Sequence, residues 1–317
     1  LPRTASSPLT ILIIQPLRAP RIAKDYAEIW MENGSPLKVY ADEMEASLQN
    51  SFDQHGNKVV VRTGMAYSKP YVWDAMAELE AAGATEILLL PMFPQYSTAT
   101  TASVFNSVEV AAKKWAKPPK LHFVDDLFQE PAFLQAWASL IRQHVDIESL
   151  DHIIFSYHGV PEKTIKKADA EGVCAFGSCC HSVTEGNRLC YRMQCVQTTL
   201  GITRELGWEA DKYSVAFQSR FGPLPWIQPY LDEHIEGLVA NHRRRIAVVT
   251  PSFISDCLET LFEIGVEYRE RFDEAGGEEF QLVPNLNNDA GWFKAVYEIA
   301  SKHLGFLQER FELCRND

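Results

Sequence analysis

His152-Ile153-Ile154-Phe155-Ser156-Tyr157-His158-Gly159-Val160-Pro161 is the stretch that decides the fold of this chain. It begins as an unbroken apolar run and ends, through a histidine, in a glycine and a proline. Apolar runs without alternation belong to parallel strands covered on both faces. The same reading applies to residues 10–14, 58–61, 86–90 and 121–124 in the first half, and to 213–217, 246–249 and 280–283 in the second. Helix-patterned stretches separate them. Four strands per half predict an α/β protein of two Rossmann-like lobes, each a four-stranded parallel sheet flanked by helices. The lobes are expected at 1–145 and 146–317, meeting beyond the helical stretch 131–145. A cysteine-rich insertion at 170–195 falls in the second lobe, and a last helix near 291–311 is free to pack back on the first.

Composition sets the class. The chain has 317 residues, 46% hydrophobic and 23% charged, which is ordinary for a globular protein and long enough for two cores. Its 42 acidic against 30 basic residues leave a net charge of −12, which argues against a nucleic-acid partner. No apolar run approaches the ~18 residues that cross a bilayer. Residues 1–10 do not read as a secretory signal, so a cytoplasmic, reducing compartment is expected. Five of the seven cysteines, Cys174, Cys179, Cys180, Cys190 and Cys195, fall in one short segment, while Cys257 and Cys314 stand alone. In a reducing compartment, clustered thiols read first as metal ligands.

Neither a G-x-G-x-x-G nor a P-loop follows any strand, so dinucleotide and P-loop chemistry lack their glycines. Ligands of open α/β sheets nevertheless lie beyond the carboxyl ends of strands, and three of those ends are unusual. At the first, Gly159 permits a tight turn that aims His158 at the cleft, where an imidazole is a natural proton acceptor near neutral pH. A histidine held by backbone at the rim of a core is the plainer alternative. At the second, residues 250–256 lead into a helix carrying Asp256, Glu259, Glu263, Glu267 and Glu270. At ~100° per residue these acids fall within about 80° of one another. Ile254, Cys257, Leu258, Leu261, Phe262 and Gly265 lie opposite and suit a core. A solvated acidic face would explain the stripe; lining a cleft, it would bind a divalent cation or carry protons. At the third, Gln218-Ser219-Arg220-Phe221-Gly222-Pro223-Leu224-Pro225-Trp226 supplies aromatics on a rigid loop. Together with Tyr96, Tyr157 and Phe253, these suit a large planar aromatic ligand.

These segments, with Phe93-Pro94-Gln95-Tyr96-Ser97-Thr98-Ala99-Thr100-Thr101 and the stretch from Tyr26 to Leu37, resemble the signature segments of the ferrochelatase family nearly throughout the chain and in family order. The resemblance implies a chelatase-like fold and a lyase that inserts Fe2+ into protoporphyrin IX to form protohaem. Coproporphyrin as substrate, or a non-catalytic porphyrin or iron–sulfur sensor on the same scaffold, are its alternatives. His158 matches the family's catalytic histidine and Glu259 the acid facing it, the two together implied as Fe2+ ligands. Asp256 and Glu263 match the carboxylate path behind them. Tyr67, Trp226 and Phe253 match aromatic positions around the macrocycle, and Tyr26 and Ser35 match groups near the porphyrin carboxylates. Tyr96 and Ser219 complete the expected substrate contacts. A ferrous iron donor, peripheral contact with the inner membrane and a homodimer are the partners such a protein would have.

Two departures stand out. Where the family continues into an apolar lip, residues 16–20 lead almost directly into Arg21-Ile22-Ala23, and where Arg-Tyr-Gly is usual the chain reads Ala66-Tyr67-Ser68. The larger departure is the spacing Cys174-x4-Cys179-Cys180-x9-Cys190-x4-Cys195. Four thiolates so placed bind Zn2+ or an iron–sulfur cluster, and the lack of a C-x2-C pair weakens zinc. The segment is similar to that of ferrochelatases that hold a [2Fe–2S] cluster internally, with Cys174, Cys179, Cys190 and Cys195 as expected ligands and Cys180 as the alternative to Cys179.

Overall fold

The computed structural model describes residues 15–305. Its centre is β3 (His152–His158), paired in parallel with β4 (Tyr213–Gln218) on one side and β5 (Arg245–Val249) on the other; β6 (Glu279–Leu282) adds in parallel beyond β5, giving the order β4-β3-β5-β6. Ile153, Ile154, Phe155 and Tyr157 are each 0% exposed, as a strand covered on both faces requires. One face buries Ile153, Phe155, Tyr157, Ala247 and Val249 against α5 (Pro131–His144), α7 (Tyr191–Leu206) and α10 (Ala290–His303). The other buries Ile154, Ala216, Ile246 and Val248 against α8 (Leu231–Ala240) and Phe272 of α9 (Arg269–Glu274). The short α6 (Glu162–Ala168) follows β3 directly.

In the first half the described ladder is shorter than expected. β1 (Glu86–Leu89) and β2 (Lys120–Phe123) pair in parallel, and α3 (Val72–Ala81) and α4 (Thr101–Ala112) complete a small core of Val72, Met76, Ile87, Val108, Ala112 and Trp115. The expected strand at 10–14 lies outside the described residues. Residues 58–61 are not a strand among the described residues. The side-chain amide of Gln49, on α2 (Pro36–Gln54), supplies a substitute ladder, donating from Nε2 to the Val59 carbonyl and accepting from the Val61 N–H, both at 2.9 Å.

The acidic stripe also folds differently from the expected α-helix. Leu258–Tyr268 winds as a π-helix, with each N–H reaching one residue further back. The wider turn still stacks side chains four apart, but it changes which residues face inward. Thr260 and Ile264 are wholly buried, whereas Cys257, Leu258, Leu261, Phe262 and Gly265, expected in the core, are only half-buried. α1 (Gln15–Ile29) packs against this helix.

At the amino end of the sheet His152 and His234 share Ser214. An Arg guanidinium only donates, so Arg243 Nη1 fixes His152 Nδ1 as the acceptor; His152 Nε2 then donates to Ser214 Oγ at 2.9 Å, and the hydroxyl passes its own proton to His234 Nε2 at 2.6 Å.

α10 ends at His303, short of the expected 311, and residues beyond 305 lie outside the described residues. Asp289 caps it by accepting from the Trp292 N–H at 2.9 Å; Trp292 meets the edge of Phe133 on α5 at 5.9 Å, and Tyr297 meets Phe52 on α2 at 5.1 Å. Trp292 is 0% exposed, so truncating it leaves a large hole between helices. Trp292→Ala is expected to cost about 3–5 kcal/mol, read as a lowered urea midpoint.

Candidate active site

Parallel pairing brings the ends of three strands to one edge, because β3 registers His158 against Gln218 of β4 and Phe155 against Val249 of β5. At that edge the His158 imidazole is oriented by its own backbone. Nδ1 lies 2.7 Å from the Gly159 carbonyl, an oxygen that only accepts, so Nδ1 carries the proton and Nε2 keeps the lone pair. Phe253 sits beside the ring, centroids 6.4 Å apart, and Ser252 Oγ accepts from the His158 N–H at 3.2 Å. Gly159 is required here: a Cβ would fall 2.9 Å from the Gln218 carbonyl and 3.1 Å from Trp226 Cε3.

Gln218 links the histidine edge to the acids. Its Oε1 accepts from Ser156 Oγ at 2.7 Å, and its Nε2 donates to the Glu259 carbonyl at 3.0 Å. The next residue, Ser219, adopts a left-handed φ of +65° and donates from Oγ to the Glu263 carboxylate at 2.7 Å. Burial pushes the Glu263 carboxyl from its ordinary 4.5 to about 7; the Ser219 hydroxyl opposes that shift, while the charges of Glu259 and Glu267 add to it. The row of acids is therefore an electrostatic unit in space. Tyr26 of α1 faces it, its hydroxyl held above the usual range by burial and then by Glu259 and Cys257.

Asp256 stands deeper, 6% exposed, accepting from Thr260 Oγ1 at 3.2 Å and Asn287 Nδ2 at 2.6 Å; burial raises its pKa and the Asn287 bond works against the rise. Tyr96 enters from the first half, its N–H donating to Gln194 Oε1 of α7 at 2.6 Å. Trp226 does not form the open wall suggested by its loop. At 5% exposed it packs behind Gly159 and donates from Nε1 to the Phe221 carbonyl at 3.0 Å, leaving Phe221, 70% exposed, as the outward aromatic. Arg220 holds this loop to α8 through Asp232 at 2.9 Å and Glu233 at 3.1 Å. Ser35 caps α2, with its Oγ accepting from Lys38 N, and Tyr67 is 80% exposed. Gln218, Ser252 and Tyr191 are site residues that sequence reasoning missed. Gln218 and Ser252 lie within the strand-end segments singled out above, and Tyr191 directly follows Cys190, but none of the three carries an assigned role there.

In the cysteine-rich segment, Cys174, Cys179 and Cys190 line one cavity of about 10 Å³, and Cys180 Sγ lies 4.0 Å from Cys179 Sγ. Arg192 Nη1 donates to Cys180 Sγ at 3.0 Å. Partial burial raises the Cys179 thiol, but the Ala175 and Gly177 N–H groups outweigh it and hold Cys179 below the ordinary thiol range, whereas burial pushes Cys174 and Cys190 up and Cys180 to about 12. Cys195 is apart, 0% exposed within α7 beside Tyr191. Among the described residues, no three His, Cys, Asp or Glu donors form a group that could hold a metal ion. No helix among the described residues is long and apolar enough to cross a membrane.

Solved chelatases share this architecture. SirB from Bacillus subtilis with Fe3+ superposes with a TM-score of 0.57 at 10% identity, covering 85% of this chain and 92% of that one. CbiX, described as the terminal enzyme of sirohaem biosynthesis in denitrifying bacteria, gives 0.51 at 13% identity, covering 84% and 94%. At those identities the likeness establishes a chelatase-type α/β fold. Sequence is more specific. The ferrochelatase family model matches residues 1–304. A ferrochelatase of Legionella pneumophila (strain Paris) is 36% identical over 296 residues, 93% of this chain and 87% of the relative; one of Bdellovibrio bacteriovorus is 37% identical over 299 residues, 94% and 88%. The chain belongs to the ferrochelatase family, lyases that insert ferrous iron into a porphyrin.

The raised Glu263 carboxyl has a measurable sign. Folded, it keeps its proton to about pH 7, whereas the unfolded chain releases it near 4.5, so its contribution favours folding at the acid end and is lost as pH rises through that window. Urea midpoints of Glu263→Gln relative to the unsubstituted protein are expected to rise across that interval and level off above it.

Proposed function

We propose that this ferrochelatase acts on protoporphyrin IX, with His158 as the proton acceptor on one face of the ring and the Glu259–Glu263 row handling metal and protons on the other. The observation that carries the reading is the His158 tautomer: the Gly159 carbonyl occupies Nδ1–H, which leaves Nε2 able to take a pyrrole proton. Metallation removes two N–H protons while Fe2+ sheds its water, and a flat ring offers the metal no accessible lone pairs. A cleft that binds the macrocycle's periphery and buckles its centre exposes them. Phe253 beside the imidazole and outward-facing Phe221 supply apolar contacts for such a disc. A carboxyl titrating near neutrality, as Glu263 does, both accepts and releases protons at working pH. Carboxylates with one imidazole bind Fe2+ without the tight hold of thiolates, so the substrate metal is released into the ring. Exposed Ile22, Trp30 and Leu37, on and after α1, support peripheral membrane contact by a cytoplasmic enzyme.

His158→Ala is expected to abolish Fe2+ insertion while retaining the absorption shift of bound porphyrin. Full turnover by that variant would remove the assignment of the base; comparing protoporphyrin IX with coproporphyrin III in the same assay tests the choice of ring.

We further infer a [2Fe–2S] cluster in the cysteine-rich segment. A zinc site needs four donors about one point, whereas a two-iron cluster takes two thiolates per iron. Cys174, Cys179 and Cys190 line one small cavity and Cys180 Sγ lies 4.0 Å from Cys179 Sγ, and this gathering of thiols in one segment supports the cluster. The hydrogen bond from the Ala175 N–H to Cys179 Sγ at 3.3 Å suits a thiolate ligand. Cys195 lies within α7 and does not line the cavity of Cys174, Cys179 and Cys190, so Cys180, 4.0 Å from Cys179 Sγ, replaces it in the ligand set we favour. When bound, the cluster supplies a covalent clamp and a redox-active group, and this chain's part is to hold it. Anaerobically purified protein is expected to show visible iron–sulfide absorption that Cys179→Ser removes and Cys195→Ser retains; iron-free, colourless protein would rule the cluster out.

A further inference from the structure

The peptide unit between His158 and Gly159 is gripped at both ends. Its N–H donates to the Gln218 carbonyl at 2.9 Å, and its carbonyl accepts from the Tyr191 hydroxyl at 2.7 Å. The next carbonyl along, that of Gly159, orients the imidazole. Turning the 158–159 peptide therefore moves the acceptor that fixes the ring. Tyr191 is the first residue of α7, 9% exposed, and follows Cys190, whose side chain lines the small cavity shared with Cys174 and Cys179. One turn on, Gln194 holds the Tyr96 N–H from the first half of the chain. The first turn of α7 thus touches the thiols at one end and the backbone of two site residues at the other.

We propose that Tyr191 is a positioning residue that couples the cysteine-rich segment to His158. The inference rests on the role given to His158 above. Any rearrangement that displaces Cys190 displaces Tyr191 by direct adjacency, loosens the His158 carbonyl and lets the Gly159 carbonyl swing from the ring. The imidazole then spends less time aimed at the macrocycle, although the porphyrin cleft itself is unchanged. Filling the core is the competing role for Tyr191, and it would be met equally well by phenylalanine.

The test compares Fe2+ insertion by the whole, anaerobically purified chain and by its Tyr191→Phe, Cys190→Ser and doubly substituted forms. Tyr191→Phe is expected to lower kcat about tenfold, with KM for porphyrin held within about twofold, since misplacing one reacting group costs turnover before it costs binding. Its thermal midpoint and the absorption shift of bound porphyrin stay close to those of the parent. Cys190→Ser is expected to lower kcat in the same manner, and the double variant to be no slower than the slower single one, because both losses pass through one hydroxyl. An unchanged kcat in Tyr191→Phe, a loss carried by KM, or losses that multiply in the double variant would overturn the proposal. Should Tyr191→Phe fail to fold, Cys190→Ser decides alone: unchanged kcat overturns the coupling, and lowered kcat with KM retained supports it. Full turnover by His158→Ala is a separate result, overturning the role of His158 on which the coupling is built.

Discussion

Parallel pairing of β3 with both β4 and β5 is the constraint from which the site is built. Antiparallel neighbours would send their carboxyl ends to opposite edges, scattering His158, Ser219 and Ser252. With all three strands running one way, they arrive together. The arrangement is held by burial of both faces of β3, whose Ile153, Ile154, Phe155 and Tyr157 are withdrawn completely from water. At about 25 cal/mol per Å² of apolar surface, each such side chain contributes roughly 1.5–3 kcal/mol. The strand that ends in the reactive imidazole is thus among the least deformable parts of the molecule, which suits a group whose aim matters.

Around that rigid edge the polar side chains form chains of dependence. Ser156 sets the Gln218 amide, Gln218 reaches the Glu259 carbonyl, and Ser219 reaches the Glu263 carboxylate. Ser219 occupies a backbone region that costs a non-glycine residue roughly 1–2 kcal/mol. Its hydroxyl is thereby brought to a buried acid that would otherwise go without that partner. The acids in turn sit on a π-helix, a local geometry often found at functional positions.

Much of this was legible in the sequence where one physical signal dominated. The runs at 213–217 and 246–249 became strands because continuous apolar sequence has few alternatives in a sheet covered on both sides. The run at 58–61 has the same composition, yet Gln49 satisfies its backbone from an adjacent helix, a tertiary contact that composition does not encode. Of the five acids expected in one stripe, Glu259, Glu263 and Glu267 share a row because four-residue spacing makes one in either helix type, whereas Asp256 stands deeper and Glu270 is exposed on α9. The inward face differs from the helical expectation, since α winding points Leu261 to the core and π winding points Thr260 and Ile264 there. Trp226 looked like a cleft wall because aromatics in a proline-rich loop suggest one. The missing side chain of Gly159 gives it a seat inside instead.

The His152–Ser214–His234 chain at the amino edge has a consequence for acid tolerance. Burial, followed by the charge of Arg243, pulls His152 from 6.5 to about 4, and burial lowers His234 as well. Protonation of such imidazoles favours the unfolded chain, so the His152 contribution is complete above pH 6.5 and is lost as pH falls towards 4, and His234 acts in the same direction. Glu263, at the opposite edge, weighs the other way over the overlapping interval. Between pH 4.5 and 6.5 the two edges of one sheet therefore compensate each other, flattening the dependence of folding on acidity where either edge alone would tilt it.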